Sequence, residues 1–335
     1  MFFSKVTLNN VGPIKHFKCG QVGTINLAIG PNGCGKTFLL KCLYSSIRAV
    51  EQYKRGKELR SLNELLTDKL HWTFQPWTIG NIVSKGERKL SVRIESTEHE
   101  TLSYSFGPST EKSIPNIENS FSLRSDNSIF IPAKEILSLR ELILKSNAVD
   151  RDFGFDDTYV DLAKALSPTT RGRNLKTFSD ARNILGKALH GKIEFDEGRQ
   201  EWVFHDEQNQ IHSVSVTSEG IKKLSIIDVL LGNHYLTRNS VIFIDEPESA
   251  LHPALISRFM EIIYMLSELG IQFFIATHSY FVIKKLYIIA QKNHCSIPVF
   301  SFDGHEVTNG DLAKVMPKND IIDESVKLYE EEINL

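Results

Sequence analysis

The octapeptide GPNGCGKT at residues 30–37 limits the folds open to this chain more than any other segment. It matches the pattern G-x-x-x-x-G-K-[ST] at every fixed position. An apolar run at residues 25–29 precedes it, and apolar side chains at residues 38–43 share one side of a helix. Because the pattern requires a strand, a glycine-rich loop and a helix in this order, the segment predicts a phosphate-binding loop.

The chemistry of this loop follows from its residue types. Glycine lets the backbone turn without a Cβ in the way, so that loop amides and the helix N-terminus surround an anion. Lys36 reaches the β- and γ-phosphates of a nucleotide, and Thr37 offers a hydroxyl to Mg²⁺. The alternative, a glycine turn with a solvated lysine, is disfavoured by the flanking strand and helix. The predicted nucleotide contacts in the loop are Gly30, Pro31, Asn32, Gly33, Cys34, Gly35, Lys36 and Thr37.

Two further segments end an apolar strand with residues suited to nucleotide chemistry. VIFIDEPESALHP, at residues 241–253, contains Asp245 and Glu246, and IATHS, at residues 275–279, contains His278. The carboxyl ends of parallel strands are where open α/β sheets bind ligands. We expect Asp245 to hold Mg²⁺, Glu246 to activate water and His278 to hydrogen-bond the γ-phosphate. A solvated acidic turn and a structural histidine are the alternatives.

A weaker signal lies in VTSEGIKK at residues 216–223. Ser218, Glu219 and Gly220 open a predicted helix, and a serine hydroxyl, a glycine amide and a helix N-terminus can together bind phosphate. An ordinary serine N-cap has the same sequence, so both interpretations stay open at this point.

Composition narrows the class of protein. The 335 residues carry a net charge of −2, with 41% hydrophobic and 24% charged residues, as in a globular protein of one large or two moderate domains. No apolar run approaches the ~20 residues that span a bilayer, and the N-terminus lacks a signal-peptide pattern. Four cysteines lack metal-ligand spacing. We expect a cytoplasmic protein with reduced thiols and no membrane contact.

Contact with nucleic acid would depend on local basic patches, since the chain has no overall positive charge. The alternative for such patches is a solvated helix face. The candidates are Lys54, Arg55, Lys57 and Arg60 in one patch, and Arg171, Arg173 and Lys176 in the other.

The rest of the chain predicts an accessory part and a closing core. Alternation at residues 90–106 predicts an antiparallel hairpin, and so do residues 193–195 with 202–204. Helices are expected at 39–65 (one or two), 134–145, 181–189, 221–231 and 253–269, and a further helix ends at 291. Strands are expected at 128–132, 214–216, 241–244, 272–276 and 298–302. Loops are expected at 107–127, 150–157 and 167–176, and residues 320–335 form an acidic tail.

Taken in order, these motifs resemble the ABC-type AAA ATPases, and more narrowly the soluble branch with the SMC-type DNA-repair heads and the ATPases of overcoming-lysogenization-defect nucleases. The shared features are the S-E-G signature, DEPE-x-x-LHP and THS. The resemblance implies an α/β fold, an ABC-type P-loop ATPase head with a mixed parallel core sheet, an antiparallel β subdomain and a helical lobe. The single domain of residues 1–335 then divides into a nucleotide-binding core at 1–54 and 201–305, an accessory lobe at 55–200 and a tail at 306–335.

The resemblance also implies a mechanism in which a head-to-tail homodimer encloses two ATP molecules. The phosphate loop of one subunit faces Ser218 and Gly220 of the other. ABC-type enzymes usually carry a glutamine that links Mg²⁺ to the accessory lobe; it has no clear equivalent here, and residues 133–135 occupy its place. The implied roles are catalysis for Lys36, Glu246 and His278, and Mg²⁺ binding for Thr37 and Asp245.

Three functions are compatible with this pattern. The first is ATP hydrolysis in a dimer or higher oligomer that regulates a separate nuclease or toxin in a defence or DNA-repair complex. About 55 residues follow His278, which is short for a nuclease domain of its own. The second is an ATP-gated DNA clamp with slow turnover. The third, a membrane-transporter ATPase subunit, is disfavoured because the signature is S-E-G rather than S-G-G-Q.

Overall fold

The computed structural model describes residues 3–149, 154–167, 176–199, 201–304 and 306–335. The strands are β1 (Phe3–Val11), β2 (Ile14–Cys19), β3 (Ile25–Ile29), β4 (Leu90–Ser96), β5 (Thr101–Phe106), β6 (Asn116–Asn119), β7 (Ile129–Ile131), β8 (Gly191–Asp196), β9 (Glu201–Asp206), β10 (Ile211–Ser213), β11 (Val241–Asp245), β12 (Gln272–Thr277), β13 (Pro298–Asp303) and β14 (Glu306–Asp311). The helices are α1 (Lys36–Gln52), α2 (Leu62–Phe74), α3 (Arg140–Val149), α4 (Asp157–Ala165), α5 (Lys176–Leu189), α6 (Glu219–Gly232), α7 (Pro253–Glu268), α8 (Tyr280–Asn293) and α9 (Asp320–Ile333), with short 3-10 helices at Ile79–Ile82 and Val214–Val216.

The core sheet has the strand order β14-β13-β3-β12-β11-β7. It is parallel except for β14, which pairs antiparallel with β13. β3, β7 and β12 are buried along their whole length. A sheet covered on both faces selects unbroken apolar strands, and its carboxyl edge is where ligands bind. The predicted α/β fold with a mixed core sheet is confirmed.

An antiparallel sheet of order β2-β1-β4-β5-β6 forms the predicted β subdomain. The hairpin expected at residues 90–106 is confirmed, with Leu90 paired to Phe106. The loop expected at residues 107–127 is wrong in part, because β6 extends the sheet by pairing with β5. Helix α1 buries Leu39, Leu43 and other apolar side chains in a cluster shared with both sheets.

Helices α3, α4 and α5 and a small sheet of order β10-β9-β8 supply the predicted helical lobe and second hairpin. The helix expected at residues 134–145 begins only at Arg140, because a turn precedes it. The strand expected at residues 214–216 is a 3-10 helix, whose N-cap Ser213 accepts a hydrogen bond from the Ser215 amide. Of the expected loops at 150–157 and 167–176, residues 150–153 and 168–175 lie outside the described residues, as do Arg171 and Arg173. Residues 154–156 are non-helical as expected, and α4 begins at Asp157.

A buried ion network holds α4 against α1 and α2. Asp161 accepts hydrogen bonds from Lys69 at 2.9 Å and Tyr44 at 2.5 Å, with Arg48 at 3.6 Å. Burial would raise the pKa of Asp161, but the charges of Lys69 and Arg48 outweigh it and keep the pKa below its usual range. Removing one partner from such a network typically costs about 3–5 kcal/mol. The lobe is therefore tied to the helix that begins at the phosphate loop.

The division into a core, a lobe and a tail stays a prediction. β14 lies in the segment expected as the tail, where it joins the core sheet, and α9 occupies the acidic end of the chain. Within the described ranges, the helices are too short or too polar to cross a lipid bilayer.

Candidate nucleotide-binding site

The phosphate loop connects the buried end of β3 to α1. Gly30 and Gly35 have φ angles of 146° and 111°, which favour glycine. A Cβ on Gly30 would lie 2.5 Å from the Phe302 carbonyl oxygen, and one on Gly35 would lie 2.9 Å from Ile14. Gly35 is the N-cap of α1 and provides no side-chain cap. The first amides of α1 therefore suit an anion, as at other helix N-termini preceded by glycine-rich loops.

Lys36 folds back over its own loop. Its Nζ donates hydrogen bonds to the carbonyl oxygens of Gly30 at 2.8 Å and Pro31 at 2.7 Å, and the residue is 6% exposed. The loop thus holds an ammonium group in place before any phosphate is bound. Phosphate oxygens can replace these two carbonyl acceptors without Lys36 leaving the loop.

Thr37 and Asp245 meet at the carboxyl edge of the core sheet. The Thr37 hydroxyl donates to the Asp245 carboxylate, with distances of 3.1 Å to Oδ1 and 3.0 Å to Oδ2. Burial raises the pKa of Asp245 to about 6, and the charge of Glu246 acts in the same direction, whereas the hydrogen bond from Thr37 opposes it. A hydroxyl and a carboxylate are the hard oxygen ligands that Mg²⁺ prefers, so this pair fits that ion.

Glu246 has an unusual backbone conformation at the end of β11. Its φ angle is +47°, in the left-handed region that non-glycine residues seldom occupy. Its amide donates to the Ala276 carbonyl oxygen at 2.9 Å, and its own carbonyl oxygen accepts from Lys223 Nζ. Strained backbone of this kind clusters at functional sites.

His278 lies beside Glu246 because β12 neighbours β11. Its Nδ1 is 3.4 Å from Glu246 Oε1 and 3.7 Å from Glu248 Oε1. Glu248 Oε1 also accepts from the His278 amide at 3.1 Å and from the Thr277 hydroxyl at 2.7 Å. Sequence reasoning did not single out Glu248, the last acid of the DEPE segment, for these contacts.

The S-E-G segment lies at the start of α6. Ser218 is the N-cap, and its hydroxyl accepts from the Ile221 amide at 3.3 Å. Ser218 and Glu219 are exposed, whereas Gly220 is buried and a Cβ there would lie 3.0 Å from Leu251. The structure thus brings the loop, Asp245, Glu246 and His278 together, and it presents Ser218 at the surface.

The basic patch at residues 54–60 is partly neutralised within the chain. Arg60 pairs with Glu58 at 2.7 Å and with Asp68 at 2.8 Å. Arg55 donates to the Ser125 carbonyl oxygen at 2.9 Å and to Asn127. The other patch includes Arg171 and Arg173, which the described ranges omit, so it adds no structural support.

DNA contact therefore stays a prediction. If the patch at residues 54–60 binds duplex DNA through its phosphates, the logarithm of the binding constant should fall linearly with the logarithm of salt concentration. A filter-binding titration with ATP at several salt concentrations measures this slope. A slope of zero, or no binding at low salt, would argue against any clamp on DNA.

Comparison with known proteins identifies a family for this chain. The sequence profile of the family described as "AAA domain, putative AbiEii toxin, Type IV TA system" matches residues 25–284. Among curated proteins, no relative matches.

Two solved structures with the same fold are SMC head domains. One is an Smc head bound to the C-winged helix domain of ScpA, with a TM-score of 0.56, 13% identity, and coverage of 94% of this chain and 99% of that one. The other is an Smc head with an extended coiled coil bound to the C-terminal domain of ScpA from Pyrococcus furiosus, with a TM-score of 0.54, 12% identity, and coverage of 98% and 99%. The predicted resemblance to AAA-type ATPases is confirmed, and the resemblance to SMC heads is confirmed at the level of the fold. This chain belongs to the AAA-domain family described as putative AbiEii toxin, Type IV TA system, and it has the fold of an SMC-type ATPase head.

Proposed function

We propose that this protein hydrolyses ATP with Mg²⁺, dimerises around the nucleotide and regulates a separate nuclease or toxin in a defence or DNA-repair complex. The observation that carries the hydrolytic part is the hydrogen bond from Thr37 to Asp245, with Glu246 and His278 beside it. It joins the phosphate loop to the acidic strand end in a member of an AAA family.

ATP binding uses groups that are already in place. Lys36 exchanges the carbonyl oxygens of Gly30 and Pro31 for oxygens of the β- and γ-phosphates. The amides at the start of α1 add donors to the same anion. Because these donors are fixed before binding, little ordering entropy is lost when the nucleotide enters.

Thr37 and Asp245 are the residues that would hold Mg²⁺. Bound Mg²⁺ neutralises phosphate charge and stabilises the negative charge of the transition state. A hydroxyl binds a metal ion through a lone pair on its oxygen, so the Thr37 hydroxyl would have to rotate its proton away from Asp245. The hydrogen bond seen between these two residues would therefore be lost when both hold Mg²⁺.

Hydrolysis follows from the carboxylate of Glu246. It accepts a proton from a water molecule whose oxygen attacks the γ-phosphorus, and the bond from that phosphorus to the bridging oxygen breaks, releasing ADP and phosphate. His278 donates a hydrogen bond to the γ-phosphate. Glu248 holds the amide of His278 and so orients the imidazole.

The dimer is proposed from the exposed start of α6. Ser218, Glu219 and Gly220 of one subunit would complete the nucleotide site of the other, because Ser218 and Glu219 face solvent and a helix N-terminus favours phosphate. Such an arrangement contains two identical composite sites related by a two-fold axis.

Subunit mixing tests this arrangement. Lys36→Met and Ser218→Arg should each be inactive alone, because every site in each homodimer lacks one half. In an equimolar mixture half of the dimers are mixed, and one of their two sites is intact, so about a quarter of wild-type ATPase activity should return. Phosphate release measures it. If the mixture at every ratio shows only the sum of the activities of the two separate variants, the site is not shared between subunits.

A link to a toxin system is proposed because the description of the matched family names a putative toxin of a Type IV TA system. The matched SMC heads offer a structural analogy, since each was solved with a domain of another protein, ScpA. We also propose a cytoplasmic location, since Cys19, Cys34, Cys42 and Cys295 are free thiols.

A further inference from the structure

Lys223 is a buried lysine that the hydrolytic scheme leaves without a role. It lies on α6, five positions after Ser218, and is 3% exposed. Its Nζ donates to the carbonyl oxygen of Glu246 and lies 3.4 Å from that of Ala133. Burial lowers the pKa of Lys223 to about 8, although nearby carboxylates, Glu248 first, oppose the change. A buried ammonium is costly unless it is hydrogen-bonded, so these two carbonyl contacts are its compensation.

The first contact fixes the backbone of the proposed catalytic base. Glu246 has a φ angle of +47°, a conformation that is unfavourable for a non-glycine residue and persists only when its surroundings enforce it. The Ala276 carbonyl oxygen holds its amide at 2.9 Å, and Lys223 holds its carbonyl oxygen. Since both ends of this residue are anchored, the direction of its carboxylate depends on Lys223.

The second contact reaches the segment between β7 and α3. Ala133 follows β7, at the place where the resemblance puts the glutamine that this chain lacks. One ammonium group therefore touches both the acidic segment and the segment that leads into α3. Lys223 makes a connection between them that does not need a glutamine side chain.

Helix α6 links these contacts to the dimer surface. The same helix begins at Ser218, and Gly220 is packed so closely that a Cβ would lie 3.0 Å from Leu251 and 3.3 Å from Leu255. Close-packed elements move as rigid units rather than deforming smoothly. A displacement of Ser218 by the partner's nucleotide would therefore displace Lys223 as well.

We propose that Lys223 is a positioning residue that holds Glu246 in its strained conformation and makes hydrolysis depend on the position of the S-E-G helix. This inference rests on the proposed ATPase function. In this scheme Lys223 acts through the main chain of Glu246.

The test is Lys223→Met, which keeps the length of the side chain and removes its donors. We expect kcat for ATP to fall about 100-fold, the effect of a displacement near 1 Å in a reacting group, with KM within about threefold of wild type. Lys285→Met is the control. Lys285 on α8 forms an ion pair with Glu261 on α7 at 2.6 Å, and kcat of this variant should stay within about twofold of wild type.

The same substitution in the Glu246→Gln background separates positioning from a general loss of structure. If Lys223 acts through Glu246, Lys223→Met should lower the residual kcat of Glu246→Gln by less than about threefold, because the effects of residues that act as a unit are not additive. A full 100-fold loss in both backgrounds, or a wild-type kcat in Lys223→Met, overturns the proposal. If Lys223→Met does not fold, Lys223→Gln, whose amide is too short to reach both carbonyls, replaces it under the same criteria.

Failure of the proposed function would look different. A wild-type protein without ATPase activity, or a Glu246→Gln variant as active as wild type, removes the hydrolytic function and this inference with it. An active wild type, an inactive Glu246→Gln and a fully active Lys223→Met remove only the inference.

Discussion

Replacing Glu246 with glutamine is expected to lower the rate of ATP hydrolysis about 10²–10⁴-fold, the usual contribution of a general base. The amide cannot accept the proton of the attacking water, whereas the phosphate loop around Lys36 is unchanged and still binds ATP. The ATP-bound dimer should therefore accumulate. Single-turnover kinetics give the rate, and light scattering after size exclusion gives the mass with saturating ATP and Mg²⁺. A variant that stays monomeric would contradict the proposed sandwich.

The trapped dimer also tests the proposed effector. Tagged Glu246→Gln is expected to retain a nuclease or toxin from its native host, because the closed state persists through the purification. The matched control is the double variant Lys36→Met and Glu246→Gln, which cannot close around ATP. A protein that both baits recover equally is not regulated by the nucleotide state, and recovery of no nuclease or toxin would count against a separate effector.

The core and the site were predictable because their physics is local in sequence. A strand buried on both faces must be an apolar run, as β11 is, and its polar residues must then come at its end, as Asp245 does. The glycine positions of the phosphate loop report φ angles that other residues avoid. Motif order then placed the loop, the acidic pair and His278 at one edge of one sheet.

The elements that were missed lack such a local signature. β6 has the sequence NIEN, a polar edge strand with one partly buried isoleucine, so alternation gave no signal. Lys223 looks like a solvated helix residue in the sequence, and only packing of α6 against the acidic segment shows that its ammonium meets the Glu246 carbonyl. A contact between a side chain and a backbone carbonyl far away in the sequence produces no residue spacing from which the contact could be predicted.

Asp245→Asn is expected to stabilise the nucleotide-free protein while it abolishes Mg²⁺-dependent hydrolysis. Burial raises the pKa of Asp245 from 3.8 to about 6 in the folded protein. Between these two pH values the folded state keeps a proton that the unfolded state has lost, so the contribution of Asp245 to stability falls as pH rises through this window. Above this window the ionised carboxylate lowers the free energy of unfolding by up to ~3 kcal/mol. Asparagine has no charge and so avoids this cost, and its side-chain oxygen can still accept a hydrogen bond from Thr37.

Chemical denaturation of wild type and Asp245→Asn between pH 4 and pH 8 measures this difference. The free energies of unfolding should be close near pH 4 and should separate by about 2–3 kcal/mol above pH 7, with the variant the more stable. Asp206→Asn is the control, because a hydrogen bond from His212 lowers the pKa of Asp206 and the loss of this carboxylate should not stabilise the protein at neutral pH.

Stabilisation by ligand is the second measurement. With Mg²⁺ and ATP at 100 times the dissociation constant of the wild-type protein, the free energy of unfolding of wild type should rise by about 2.7 kcal/mol and that of Asp245→Asn by much less. Equal gains would mean that the Asp245 carboxylate does not hold the metal. If Asp245→Asn is less stable than wild type without nucleotide, the buried charge of Asp245 does not destabilise the folded protein.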